Sequence, residues 1–416
     1  MADLRWTGAA AAVAQVDTIT VGGTVEADDV FILTVTGWDG TSYALSTVAG
    51  STTKSVVATT IAAAWNASDH PLLTPITAAA DGDTVVLTAD TAGVAFSVAA
   101  TTTESGGGAA DDQTFIRAAT TASAGPKHWD SVNNWDTGAL PGAGAGENVY
   151  IENADDEILY GLDQSGIANT LTSLNIGKSF TGKIGYDGAS GFSGTYLQIK
   201  ATSVNIGYNY TGGNPAGSNR IMIDTGATAS TITVEGSASS LDLTKQSIRL
   251  LANSASTTIG VLRGNVGVAQ QPGETTTVGT ISLSYNTSKE SDANMVIGEG
   301  VTLTTLNKNA GVCYLGCAVT TINHDAGTLN TFGSGAITTV NQEGGFFIGN
   351  SSGTVTTLNV ISGTADFTKS LKARTVVTAK IDAGGTIIYD PSILTLTNQI
   401  QAYDTSGNLK VVASIP

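Results

Sequence analysis

Few residues in this chain combine the type and the spacing that chemistry requires. The three histidines, His70, His128 and His324, fall in three different regions of the 416 residues. Neither a zinc set nor a histidine-based triad can be read from that spacing. Cys313 and Cys317 frame the run Cys-Tyr-Leu-Gly-Cys, which matches no four-ligand metal pattern. Two small buried core residues are expected there, since a disulfide would need the chain to turn back at Gly316. Glycoside hydrolysis needs two carboxylates across a cleft. Asp224, Glu235 and Asp242, or Glu290, Asp292 and Glu299, are candidates, but acids at this density occur on any acidic surface and read as solvated charge. No G-x-S-x-G elbow appears, and no phosphate-cradling glycine motif precedes a helix. The expectation is a non-enzyme with no catalytic residue, metal or cofactor. The remaining chemistry is adhesion, for which Trp6, Tyr186, Phe192, Tyr196, Tyr208 and Tyr210 are the candidate partner-binding residues.

Composition narrows the partners. Only 13% of residues are charged and the formal net charge is −17, whereas gripping a nucleic-acid backbone needs clustered Lys and Arg. No run approaches the ~18 apolar residues of a membrane span. The first residues, Met-Ala-Asp-Leu-Arg-Trp, carry no charged region followed by an apolar run, so synthesis in the cytosol without a secretory signal is expected.

The elements that must position any site are set by a repeat. Leu-Thr-Thr-Leu-Asn at 303–307 returns as Val-Thr-Thr-Ile-Asn at 319–323, Ile-Thr-Thr-Val-Asn at 337–341 and Val-Thr-Thr-Leu-Asn at 355–359. The starts are 16, 18 and 18 residues apart, the short fixed period of a stacked architecture. Glycines follow each Asn (Gly311, Gly327, Gly344, Gly363), so each repeat reads as strand, corner, strand, corner. At about 3.3 Å per residue, ~18 residues trace one narrow coil of roughly 60 Å. Stacking places like residues in columns: Leu303, Val319, Ile337 and Val355 in one, Leu306, Ile322, Val340 and Leu358 in another. Strand side chains alternate, so positions one and four can both face inward only if a bend falls between them. Asn307, Asn323, Asn341 and Asn359 predict an amide ladder at a corner, with a polar binding stripe as the alternative. His324, which shares its slot with Lys308, Gln342 and Val360, is expected to face solvent.

Upstream, residues 1–16 read as a small arm or as the first edge of the next domain. Residues 17–120 read as a compact α+β domain, mostly antiparallel sheet with one helix over 52–68 whose face is Val56, Val57, Ile61, Ala64 and Trp65. A loop is expected at 104–112. Residues 121–151, with Trp129 and Trp135 around a polar turn and Pro141 beyond, predict a linker and a cap for the first coil, whose open strand edges would otherwise recruit other chains. The solenoid proper is assigned to 152–378 and a far cap to 379–416, with short strands around Asp390 and Pro391 and around Ser406 and Gly407. Leu-Thr-Ser-Leu-Asn at 171–175 and Ala-Thr-Ser-Val-Asn at 201–205 repeat the theme at a spacing of 30, so loops at 187–195 and 208–218 should project and carry recognition. Strand-like alternation continues at 231–234, 241–243 and 281–285.

The fold class is therefore mainly β: a small α+β N-terminal domain followed by a β-helix (β-solenoid) with short coils of about 16 to 18 residues. Ala-Trp-Asn-Ala-Ser at 64–68, Thr-Ala-Asp-Thr-Ala-Gly-Val-Ala-Phe at 88–96, the tryptophan-flanked turn at 129–135 and the Thr-Thr-Leu-Asn coils together resemble virion proteins of tailed bacteriophages. That resemblance implies a capsid decoration or head-fibre protein on the outside of the particle, assembled in the host cytosol. It further implies homotrimerisation, with the major capsid protein or another virion protein as partner. The alternative is a tail fibre or tailspike that binds, and in some cases cleaves, a host surface glycan. A bacterial adhesin ranks last, for want of an export signal and anchor.

Overall fold

Along the strand Val301–Lys308, Leu303, Leu306 and Lys308 are buried while the threonines between them face outward. The same pattern returns in Val319–His324 and Ile337–Gln342. A computed structural model of the chain describes residues 2–104, 112–189, 191–208, 220–237, 246–283, 293–402 and 408–411. The described chain is mainly β, dominated by one long parallel sheet of many strands, the arrangement of a β-solenoid. Each strand pairs with its counterpart in the next repeat: Leu303 with Val319, Ile322 with Val340, Asn341 with Asn359. The second residue of each phrase (Thr304, Thr320, Thr338) drops out of the pairing register. The change of phase that lets positions one and four both face inward falls there.

A second face of the stack runs through Ala293–Ile297, Val312–Leu315, Thr328–Thr331 and Phe346–Ile348. Between the faces lies one hydrophobic cluster extending from Leu4 to Leu394. Burying each of its aliphatic side chains is worth ~1.5–3 kcal/mol, so the stack is held by its columns.

The corners turn on glycine. Gly311, Gly327, Gly345 and Gly363 all have positive φ, so the third corner uses Gly345 where the sequence pointed to Gly344. A Cβ on Gly327 would stand 2.2 Å from the Gly311 carbonyl oxygen, and one on Gly345 2.4 Å from that of Gly327. Backbone angle and close stacking both demand glycine here.

Three expectations change. His324 is wholly buried, together with Lys308 and Gln342, because the residue after the Asn falls on the inward phase of the strand. The Asn ladder lies within the strands and not at a corner: Asn323 donates to Asn307 at 2.9 Å, Asn341 to Asn323 at 3.0 Å and Asn359 to Asn341 at 2.9 Å. The stack also continues past 378, for Arg374–Tyr389 pairs in parallel with Val355–Asp366, and Leu394–Leu396 and Asn408–Val411 pair with it in turn. Both cysteines are free and buried.

The first residues belong to the stack as well. Asp3–Arg5 pairs in parallel with Asn148–Ile151, which pairs on its other side with Leu171–Gly177. The leader is thus the outermost strand of the parallel sheet, neither a free arm nor the edge of the following unit. Two small antiparallel sheets and the helix Lys54–Asn66 are inserted between that strand and the cap, around a second hydrophobic cluster. The helix buries Val57, Ala58, Ile61, Ala62 and Trp65. Val56 faces solvent instead, because a 3.6-residue turn seats Val57 and Ile61 on the core side and rotates its neighbour away. Both ends of the insertion meet where the Val13 N–H donates to the Ala124 carbonyl at 2.8 Å.

Residues 105–111, most of 208–218, 241–243, residues 284 and 285, and 406–407 lie outside the described residues, as do Tyr210, Asp242, Glu290 and Asp292.

Candidate interaction site

Between the Tyr186–Asp187 and Gly194–Thr195 strands the chain makes a short antiparallel hairpin. Sequence alone expected this stretch to project from the stack. Instead it folds back on the N-terminal insertion: the Ala189 N–H donates to the Asp39 carbonyl at 2.8 Å, and the Thr195 hydroxyl to the Trp38 carbonyl at 2.8 Å. The Phe192 ring lies over Gly40, whose φ of 87° and lack of a Cβ admit it. Trp38 in turn meets the Tyr160 ring edge-on at 5.5 Å. The hairpin is therefore a clasp between stack and insertion.

A buried ion cluster anchors the clasp from below. Arg249 alternates with the core residues Ile248 and Leu250, so its side chain leaves the stack on the outer face, where the hairpin covers it. It bonds the Ser193 carbonyl at 2.8 Å and Glu274 at 2.6 Å, and both charged side chains are about 1% exposed. Asp187 adds a contact to Arg249 at 3.6 Å and to Arg220 at 3.2 Å. The Tyr196 hydroxyl donates to Glu274 at 2.6 Å, and burial pushes its phenol well above the usual range.

The candidate partner-binding residues consequently separate. Trp6 is 5% exposed. Its ring packs with Trp129 and Trp135, and its indole N–H donates to Asp156 at 3.0 Å, because the strand it follows closes the first coil. Tyr196 is buried in the ion cluster. The Tyr208 hydroxyl donates to Glu152, and burial raises its phenol. Tyr186 lines an apolar cavity of about 160 Å³ with Trp38, Leu72, Phe96 and Tyr160. Phe192 alone among the described candidates is 45% exposed. The structure brings Tyr186, Phe192 and Tyr196 to the clasp, and leaves Trp6 and Tyr208 in the cap and first coils.

Three residues that spacing could not group do meet. The Ser123 hydroxyl lies 3.1 Å from His128 Nε2, and Asp130 lies 3.5 Å from His128 Nδ1. They line a cavity of about 270 Å³ with the Arg117–Asp17 pair. Nε2 is also 3.3 Å from the Gly93 carbonyl. An N–H directed at that carbonyl removes the lone pair a general base needs, so the arrangement works as a tie between insertion and cap. Of the carboxylates considered for glycoside cleavage, Asp224 accepts the Gly226 N–H at 2.8 Å, a turn-holding role. It lines an open cleft of about 460 Å³ with Ser165, Gln198, Lys200 and Thr228. Glu299 is exposed.

Sequence reasoning missed Arg249 and Glu274. The available signal was an arginine inside the apolar run Ile-Arg-Leu-Leu at 248–251, a place where a charge needs a partner. No family profile, curated protein or solved structure matches this chain.

Proposed function

We propose that the chain is a non-enzymatic structural protein of a tailed-phage particle, a capsid decoration or head-fibre protein. In this reading the α+β insertion docks on the capsid as a domain, and the β-helix of 16- to 18-residue coils projects outward, with three copies associating. The observation that carries it is the separation of two hydrophobic clusters, one running the length of the stack and one confined to the insertion. Such a division suits a rigid projecting rod with an independent foot. Ile116, Val48 and Val56 on the insertion are 62%, 56% and 48% exposed, apolar side chains of the kind an interface covers. The acidic surface keeps neighbouring copies apart.

Because Val13 and Ala124 lie side by side, residues 14–123 can be excised and the ends joined. The excised chain is expected to keep its β circular-dichroism signature and to lose binding to particles that lack the protein. Binding retained by the excised rod would reverse the two roles.

The 460 Å³ cleft with Gln198, Lys200 and Asp224 favours a second reading, a tail fibre or tailspike that holds a host glycan by polar contacts. A glycan array probed with the full chain tests it, and silence across the array would remove it.

A further inference from the structure

Glu26 and Asp29 occupy the turn between the strands Val16–Gly22 and Val30–Thr36, and Glu104 directly follows Ser97–Thr103. Val30 pairs with Thr103, so the register brings the turn and Glu104 to one end of the three-stranded sheet. Each of the three side chains offers a carboxylate oxygen, and these oxygens all lie within 4.8 Å of one another. Asp29 is 0% exposed. Its Oδ2 accepts the Glu26 N–H at 2.7 Å, while Oδ1 is sealed from solvent and accepts no hydrogen bond. No Lys, Arg or His forms an ion pair with Glu26 or Asp29 among the described residues. A buried carboxylate with an unused oxygen, crowded by two more, calls for a cation.

We propose that Glu26, Asp29 and Glu104 bind one calcium ion. All-oxygen, all-carboxylate ligation selects a hard divalent cation over zinc or copper. Oxygens on one calcium, each 2.3–2.6 Å from the ion, stand up to about 5 Å apart, whereas magnesium draws them within roughly 4.2 Å. The observed spread fits the larger ion. The ion ties the 23–29 turn to the end of Ser97–Thr103. Through the Asp29 carbonyl, which accepts the Ala49 N–H at 2.8 Å, it also steadies the end of Ser42–Val48. This revises the expectation of a metal-free chain and is independent of the virion reading.

The test uses the full chain, stripped with chelator, titrated with calcium chloride by calorimetry and melted with and without the ion at moderate salt. One calcium per chain is expected, with a melting temperature raised by roughly 5 °C once calcium is a hundredfold above its Kd. Glu26→Gln with Glu104→Gln should weaken binding at least about a hundredfold and, relieved of repulsion, melt no lower than the calcium-free parent. Asp29→Asn, the second variant should the first not fold, is expected to lose the response too. No saturable heat up to roughly 10 mM calcium, or a response that survives in either variant, would overturn the site.

Discussion

His324 stands in a column that is otherwise mostly aliphatic: Val261, Leu283, Lys308, His324, Gln342, Val360 and Ile381 lie one above the next. The polar interruption has a visible use for two of its members. Lys308 donates to the carbonyls of Ala310, Gly311 and Ala326, and Gln342 to those of Gly345 and Thr364, so both satisfy glycine-corner carbonyls from inside. Neither ring nitrogen of His324 has a hydrogen-bond partner. Burial and the adjacent Lys308 ammonium push it down to about 4, against the pull of the Gly327 and Ala326 carbonyls. Above pH 6.5 the imidazole is neutral in both folded and unfolded chains. Between pH 6.5 and about 4 the unfolded chain takes up a proton that the fold refuses, so stability falls across that window and levels off below it. The loss approaches about 3 kcal/mol at most. His324→Val, which copies Val360 two coils on, is expected to be at least as stable as the parent at neutral pH and to lose this part of the slope in denaturant titrations from pH 7.5 to 4.5. An unchanged slope would show that His324 is not its source. Sequence placed this residue on the outside because Lys, His, Gln and Val in one slot look like tolerance of water. The corner carbonyls that make polar side chains useful inside are invisible without the stack.

The hairpin at 186–195 is the element on which the expected and observed arrangements differ most. Its length and aromatics were legible as an insertion in a longer coil, and the pairing of Leu171 with Ala201 agrees with the spacing of 30. Its direction was not legible, because that depends on Arg249 and Glu274, residues distant from it in sequence. Removing one partner of a buried ion pair strands the other, at a cost of ~3–5 kcal/mol. Glu274→Ala is therefore expected to destabilise the chain by that order and to raise amide hydrogen exchange at the Ala189 N–H, one of the clasp's bonds to the insertion. Unaltered protection there would mean that the clasp does not depend on the ion pair. The repeated strands, by contrast, could be read directly: two apolar columns and the asparagine ladder follow from period and alternation alone. The phase change at the second residue of each phrase could not be assigned until the register was known.

At the scale of the whole molecule, a stack that begins with Asp3–Arg5 and receives a separate unit before its cap explains how one chain carries two hydrophobic clusters. The sequence boundaries at 16 and 120 sit near that insertion, but the return of residues 3–5 to the stack was hidden, since three residues cannot display a repeat. Each coil adds a rung without changing the cross-section, and surface threonine, serine and asparagine keep the rod wettable at low charge. The virion reading rests on that combination of rod and foot. Its most direct test is the copy number of the chain in purified particles, measured by quantitative mass spectrometry against the major capsid protein. Hundreds of copies per particle are expected of a decoration or head-fibre protein, whereas none, or only a few to a few dozen at the tail, would contradict that assignment.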